Sequence, residues 1–185
     1  MQDNGIAGEI DNLIETATQA SGLSEILAPH LSVVFCGLDP ALSAQRDGHN
    51  FSNRSNRFWR VLHLAGFTPS LLRADEEREM LKYGLGLTSA VSRPTKSASE
   101  LKRRDYITAV PALEDKIRRL APRNLAFLGK AAYAALSLRA HVEWGRQPDE
   151  FAGASIWVLP NPSGLNRAFD LARLTEHYRE MKLAI

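Results

Sequence analysis

Two short segments of this chain carry residues suited to chemistry, and each follows an apolar run that stops abruptly. Leu31 to Leu38 (LSVVFCGL) leads into Asp39, Pro40 and Ala41, and Ser155 to Leu159 (SIWVL) leads through Pro160 into Asn161, Pro162, Ser163, Gly164, Leu165, Asn166 and Arg167. Runs of this kind read as strands, and in an open parallel sheet ligands bind beyond the strand C-termini. The first loop offers a carboxylate fixed beside a proline. Such a group can orient and deprotonate a water; equally, an Asp-Pro pair begins a turn. The second loop offers Gly164, which permits close approach or a positive φ, then an apolar side chain and a cation. Leu165 can wedge into a base stack in place of an extruded nucleotide, with Arg167 on a phosphate or the facing base. It can also cap the helix that follows. A carboxylate paired with a wedge suits an enzyme that holds a polymer open and works on one unit of it.

Phe51 is the one large aromatic residue in the polar stretch 41–54. It serves either as a platform on which a planar base stacks or as the anchor of its own loop. Gly129-Lys130 before a helix lacks the full phosphate-loop pattern; at most Lys130 and the helix N-terminus hold one phosphate of a larger ligand. Cys36 lies inside a strand and reads as a small core residue. No Gly-x-Ser-x-Gly elbow occurs, and the five histidines have no metal-ligand spacing, so neither a metal nor a cofactor is expected. Lys102-Arg103-Arg104 and Arg118-Arg119 read as solvated helix faces.

With 185 residues, the chain is expected to form a single domain, residues 1–24 being a partly helical N-terminal extension. A hydrophobic share of 44% with 24% charged residues is ordinary for a globular protein. No stretch approaches the roughly 20 apolar residues that span a bilayer, and no membrane partner is expected. The acidic start, with Asp3 and Glu9, lacks a secretory pattern, and a lone cysteine excludes a disulfide framework; a cytoplasmic protein is expected. A net charge of +2 permits nucleic-acid binding without arguing for it.

The elements that must position these groups can be read from periodicity. Residues 8–28 carry helical spacing. Strands are expected at Leu31–Leu38, Gly84–Leu87, Asn124–Leu128 and Ser155–Leu159, with 41–54 and Ser89–Ser99 as loops. Helices are expected at 55–65, 73–82, 98–104, 108–120 (Thr108 as cap, Pro111 in its first turn), after Lys130, and at 168–183. Strands separated by helices predict an α/β fold, a three-layer α/β/α sandwich with a short, mostly parallel central sheet.

In combination, Val33-Val-Phe-Cys-Gly-Leu-Asp-Pro40, Asn56-Arg-Phe-Trp59, Ala65-Gly-Phe-Thr68, Arg93-Pro-Thr95, Leu128-Gly-Lys130 and Ile156-Trp-Val-Leu-Pro-Asn-Pro-Ser-Gly-Leu165 resemble the mismatch-specific uracil-DNA glycosylases, bacterial relatives of thymine-DNA glycosylase in the uracil-DNA glycosylase superfamily. The resemblance runs from about Glu25 to the C-terminus. It implies a monofunctional enzyme of base excision repair that cuts the N-glycosidic bond of uracil in double-stranded DNA, favouring G·U mismatches and extending to other deaminated bases. A monomer in the bacterial cytoplasm, acting at the nucleoid, is expected.

By the same resemblance Asp39 stands where the family usually has an asparagine that positions water, and Ala41 where it has glycine. Gly37, Leu38, Pro40, Ala41, Ser43, Phe51, Ser89 and Asn161 fall on substrate-binding positions, Phe51 on the aromatic that stacks on the flipped base. Lys130 and Pro162 to Arg167 fall on the DNA side, Leu165 on the intercalating residue. Asn166 replaces a usual serine, and Ser89 a lysine. Two rival readings stay open: a damage sensor that flips bases without cutting, and a hydrolase of free nucleosides, which would need no wedge.

Overall fold

The computed structural model describes Leu23 and residues 25–40, 42–93, 95 and 100–185. Among the described residues five strands form one sheet in the order β2-β1-β3-β5-β4: β1 Val33–Gly37, β2 Leu85–Ser89, β3 Asn124–Leu128, β4 Gly145–Phe151 and β5 Ala154–Leu159. The first three and β5 are mutually parallel, and β4 is an antiparallel edge. The helices are α1 Leu42–Asp47, α2 Phe58–Leu64, α3 Arg103–Leu120, α4 Lys130–Ser137 and α5 Leu171–Ala184, with a 3₁₀ helix over Ala74–Tyr83.

Alternation along β1 sends its side chains into two separate cores. Val33 and Phe35 pack with α2, α5 and the 3₁₀ helix through Phe58, Leu62, Met80, Leu174 and Tyr178. Val34 and Cys36 pack with α3 and α4 through Leu113, Ile117, Ala132 and Tyr133. The result is the expected three-layer sandwich. Phe35 anchors the first core, edge-on to Phe58 at 5.5 Å and Phe67 at 5.4 Å.

The parallel registers align the strand ends. Gly37 pairs with Ser89, and Leu128 with Leu159, so the loops after β1, β2, β3 and β5 share one edge. From β1 the chain crosses to β2 on one side and then to β3 on the other, the kind of reversal that opens a crevice above the sheet.

Several elements depart from the sequence reading. The helix expected over 8–28 lies mostly outside the described residues, and Ile26 within it is not helical: it bridges Leu87 with bonds of 2.9 and 2.7 Å. Gly86 permits this approach, because a Cβ there would lie 2.8 Å from the Ile26 carbonyl. The stretch 41–54 holds the short helix α1. Helix α3 begins at Arg103: it spans all of the helix expected over 108–120 but only the last two residues of the one expected over 98–104, and Pro111 stands well inside it on an exposed face. Lys102 is its N-cap rather than Thr108, its backbone N–H donating to Asp105 at 2.7 Å. Strand β4 (GRQPDEF) was not expected: its mostly exposed residues and Pro148 mark an edge strand, with a register break between Arg146 and Glu150. Among the described residues no helix is long and apolar enough to cross a membrane.

Candidate active site

A cleft of about 490 Å³ opens above the C-terminal edge of the sheet, within the size range of small-ligand sites. Gly37, Leu38, Asp39, Pro40, Phe51, Ser89, Asn161, Ser163, Gly164, Leu165 and Asn166 all line it, as do Glu25, Thr88 and Thr95. The two segments singled out by their chemistry therefore meet across one hollow. Ala44 lines it too, whereas Ala41 and the Ser43 side chain fall outside the described residues.

Asp39 is half-buried two residues beyond β1. Its loop runs beside the chain after β2: Ala90 N–H donates to Gly37 O at 2.8 Å, and Val91 N–H to Leu38 O at 3.0 Å. This parallel continuation brings Thr95 alongside, and its hydroxyl donates to Asp39 Oδ2. Burial holds the Asp39 carboxyl above its ordinary value, while the bonds from Thr95 and the charge of Arg93 pull the other way and Glu100 adds to the rise. The outcome is a carboxylate that is more basic than a solvated one and held in one orientation. The Tyr106 phenol, in contrast, is pushed up to about 12 by burial and then by the charge of Asp39, so it stays protonated near neutrality. Burial also pushes the Cys36 thiol far up, which removes it as a nucleophile.

Phe51 is tied to its own loop's surroundings and also faces the cleft. It packs against Phe58, with ring centroids 4.2 Å apart, and still forms part of the cleft wall. Its backbone is left-handed, at φ 54°, a conformation that costs energy outside glycine. Neighbouring Asn50 holds it there: its N–H donates to buried Glu77 at 2.7 Å, and its carbonyl accepts from Trp59 Nε1 at 3.3 Å.

Across the cleft, Leu165 is 81% exposed, on a loop that is otherwise internally tied. Ser163 N–H donates to Asn161 Oδ1 at 2.9 Å, and Asn166 Nδ2 donates to Asn161 O at 2.9 Å. The Asn166 side chain thus ties the loop together, and its Oδ1 also accepts from Ala168 N–H at 3.3 Å. Arg167 is exposed beside Leu165, and Asp170 caps α5 by accepting from Arg173 N–H at 2.8 Å. Leu165 does not cap that helix: its side chain stands in solvent.

Residues 25–182 match the family model described as the uracil DNA glycosylase superfamily. The chain belongs to that superfamily. A solution structure named a "putative Uracil DNA glycosylase" from Methanosarcina acetivorans shares the fold at a TM-score of 0.60 and 21% identity, over 87% of this chain and 97% of that one.

Three expected positions stand apart from the cleft of this superfamily member. Lys130 begins α4 with its ammonium 4.5 Å from the centre of the Trp144 ring, and it does not line the cleft. Arg167 and Pro162 also lie off the lining. Among the described residues no group of acidic, histidine and cysteine side chains could hold a metal.

Other contributors escape sequence reasoning. Thr88, on the cleft wall, donates to Glu25 Oε1, which also accepts from Lys116 at 2.5 Å. Glu25 and Lys116 are 91 residues apart, and no local pattern links them. Arg57 enters the sequence reading only within Asn56-Arg-Phe-Trp59, with no role of its own. In the structure its guanidinium reaches the carbonyls of four residues between Pro162 and Phe169.

Proposed function

We propose that the protein is a monofunctional uracil-DNA glycosylase of the mismatch-specific kind, which extrudes uracil from duplex DNA and hydrolyses its N-glycosidic bond. One observation carries the reading: a carboxylate of raised basicity, fixed by Thr95, shares a cleft with an aromatic wall and a solvent-exposed leucine.

The chemistry follows from these parts. Leu165 enters the base stack and fills the space of the departing nucleotide, which turns into the cleft and lies against Phe51. The C1′–N1 bond breaks ahead of water attack, leaving an oxocarbenium-like sugar and a uracil anion. The charge of Asp39 stabilises the sugar cation, and its oxygen takes the proton of the attacking water as the new C1′–O bond forms. An asparagine in its place orients water but accepts no proton at neutral pH. Backbone amides near Leu38 and Phe51 offer hydrogen bonds to the base edge, and Ala44 stands where a substituent on the pyrimidine would be met. Other deaminated bases in mismatched duplexes fall within the proposed range, since weaker pairing makes extrusion less costly. Lys130, Arg167 and the wedge loop are proposed contacts to the phosphates and the opposite strand. The protein is proposed to act as a monomer.

Incubation with an end-labelled duplex holding one uracil, followed by alkali, tests this directly. Strand scission at the uracil in U·G, and more slowly in U·A, is the expected result. Binding without scission on any uracil duplex contradicts it.

A further inference from the structure

The wedge loop is held by one side chain. Arg57 Nε donates to Pro162 O at 3.2 Å, Nη1 to Phe169 O at 2.5 Å, and Nη2 to Ser163 O at 2.6 Å and to Asn166 O at 3.0 Å. Its backbone N–H adds a fifth bond, to Pro162 O at 3.0 Å. A guanidinium has five N–H groups in a rigid fork, so four of them are spent on a single loop. Turning these carbonyls toward Arg57 also keeps their negative ends off the face that the proposed function sets against phosphates. Among the described residues, no acidic side chain forms an ion pair with Arg57.

A second contact seats the same loop. A Cβ on Gly164 would fall 2.5 Å from Ser55 Cβ, so the loop rests on residue 55 with no room for a side chain. The residue after Arg57 serves the other lip, since Phe58 supports Phe51 at 4.2 Å. Adjacent residues at the start of α2 therefore hold the wedge loop and the aromatic wall.

We propose that Arg57 is a positioning residue that fixes Leu165 at the distance from Phe51 which base extrusion requires. This rests on the reading of Leu165 as a wedge. Arg57 itself contacts neither sugar nor base. Its influence falls on the extrusion step, and so grows with the strength of the pair to be broken.

The test is single-turnover cleavage of uracil in U·A, in U·G and in an unpaired bubble, by the wild type, Arg57→Lys, Leu165→Ala and the double variant. Lysine keeps the charge and loses the fork. Arg57→Lys is expected to slow U·A by about 10-fold, of the order that small misplacements cost, U·G less, and the bubble hardly at all. In the Leu165→Ala background it should cause no further loss. An equal loss on all three substrates, or a loss on U·A that adds in full to that of Leu165→Ala, overturns the role of Arg57. Leu165→Ala acting as wild type on U·A would instead remove the wedge itself. Gly164→Ala disturbs the same seat from the loop's side and serves if Arg57→Lys does not fold. Its losses should rank the substrates in the same order, and an equal loss on all three would count against the seat.

Discussion

The two lips of the cleft break opposite rules of protein structure. On the β1 side a carboxylate is partly withdrawn from water, although burying a charge is costly. On the β5 side a leucine is left in water, although its burial would stabilise the fold by on the order of 2 kcal/mol. Each lip is also held by a different device. Asp39 is fixed through its own side chain, by the Thr95 hydroxyl. Leu165 is fixed through its backbone, by an arginine gripping the carbonyls around it while the side chain stays unpartnered. On the proposed function the contrast separates two jobs. A reacting group needs its protonation tuned, so its contacts are made at the functional atoms. A wedge needs a fixed base and an empty tip, because the tip's partner is the substrate.

The largest effect should come from the buried lip. Asp39→Asn keeps the shape and an acceptor for Thr95 but removes the base, and should slow U·G cleavage by about 10²-fold in single-turnover assays, on every substrate alike. Phe51→Ala removes the stacking wall, and a loss of about 10-fold is expected, within the 1–3 kcal/mol typical of base–aromatic contacts. Leu165→Ala should slow U·A by several-fold more than U·G, because a mismatch is already easier to open. A substrate-dependent loss for Asp39→Asn, or equal losses for Leu165→Ala, would erase the distinction between the lips.

The smallest effect concerns stability. Burial raises the folded-state pKa of Asp39, so its ionised form is disfavoured by folding. A carboxyl shifted in this direction favours the folded state below its ordinary pKa of 3.8, and that advantage is lost as pH rises through the raised value. At neutral pH the ionised group is a net burden, and Asp39→Asn should raise Tm slightly while it lowers activity. A lower Tm would show that the carboxylate is stabilised in place rather than strained.

Much of this arrangement is legible in the amino-acid sequence, for physical reasons that differ by region. Strands β1, β3 and β5 are buried on both faces and read as short apolar runs. The polar residues directly after β1 and β5 mark the loops that do meet in the cleft. Strand β4 is hidden because an edge strand needs no continuous apolar pattern. Helix α1 is hidden because six residues hold too few turns to show a period. The position of Ile26 depends on the missing side chain of Gly86, a contact made across the fold. Arg57 is the hardest case. An arginine that binds carbonyls selects backbone geometry rather than residue types, so its partners at Pro162, Ser163, Asn166 and Phe169 have no shared signature to read.

Asp39 acting as a base is the central claim, and the acid limb of the pH–rate profile tests it most directly. Single-turnover rates on a U·G duplex should fall on acidification with a midpoint above the ordinary 3.8 of aspartate. Thr95→Val, which removes a bond that favours the ionised form, should move the midpoint higher. Asp39→Asn should be slow and flat through the same range. A wild-type profile without an acid limb, or an Asp39→Asn profile that reproduces it, contradicts the claim.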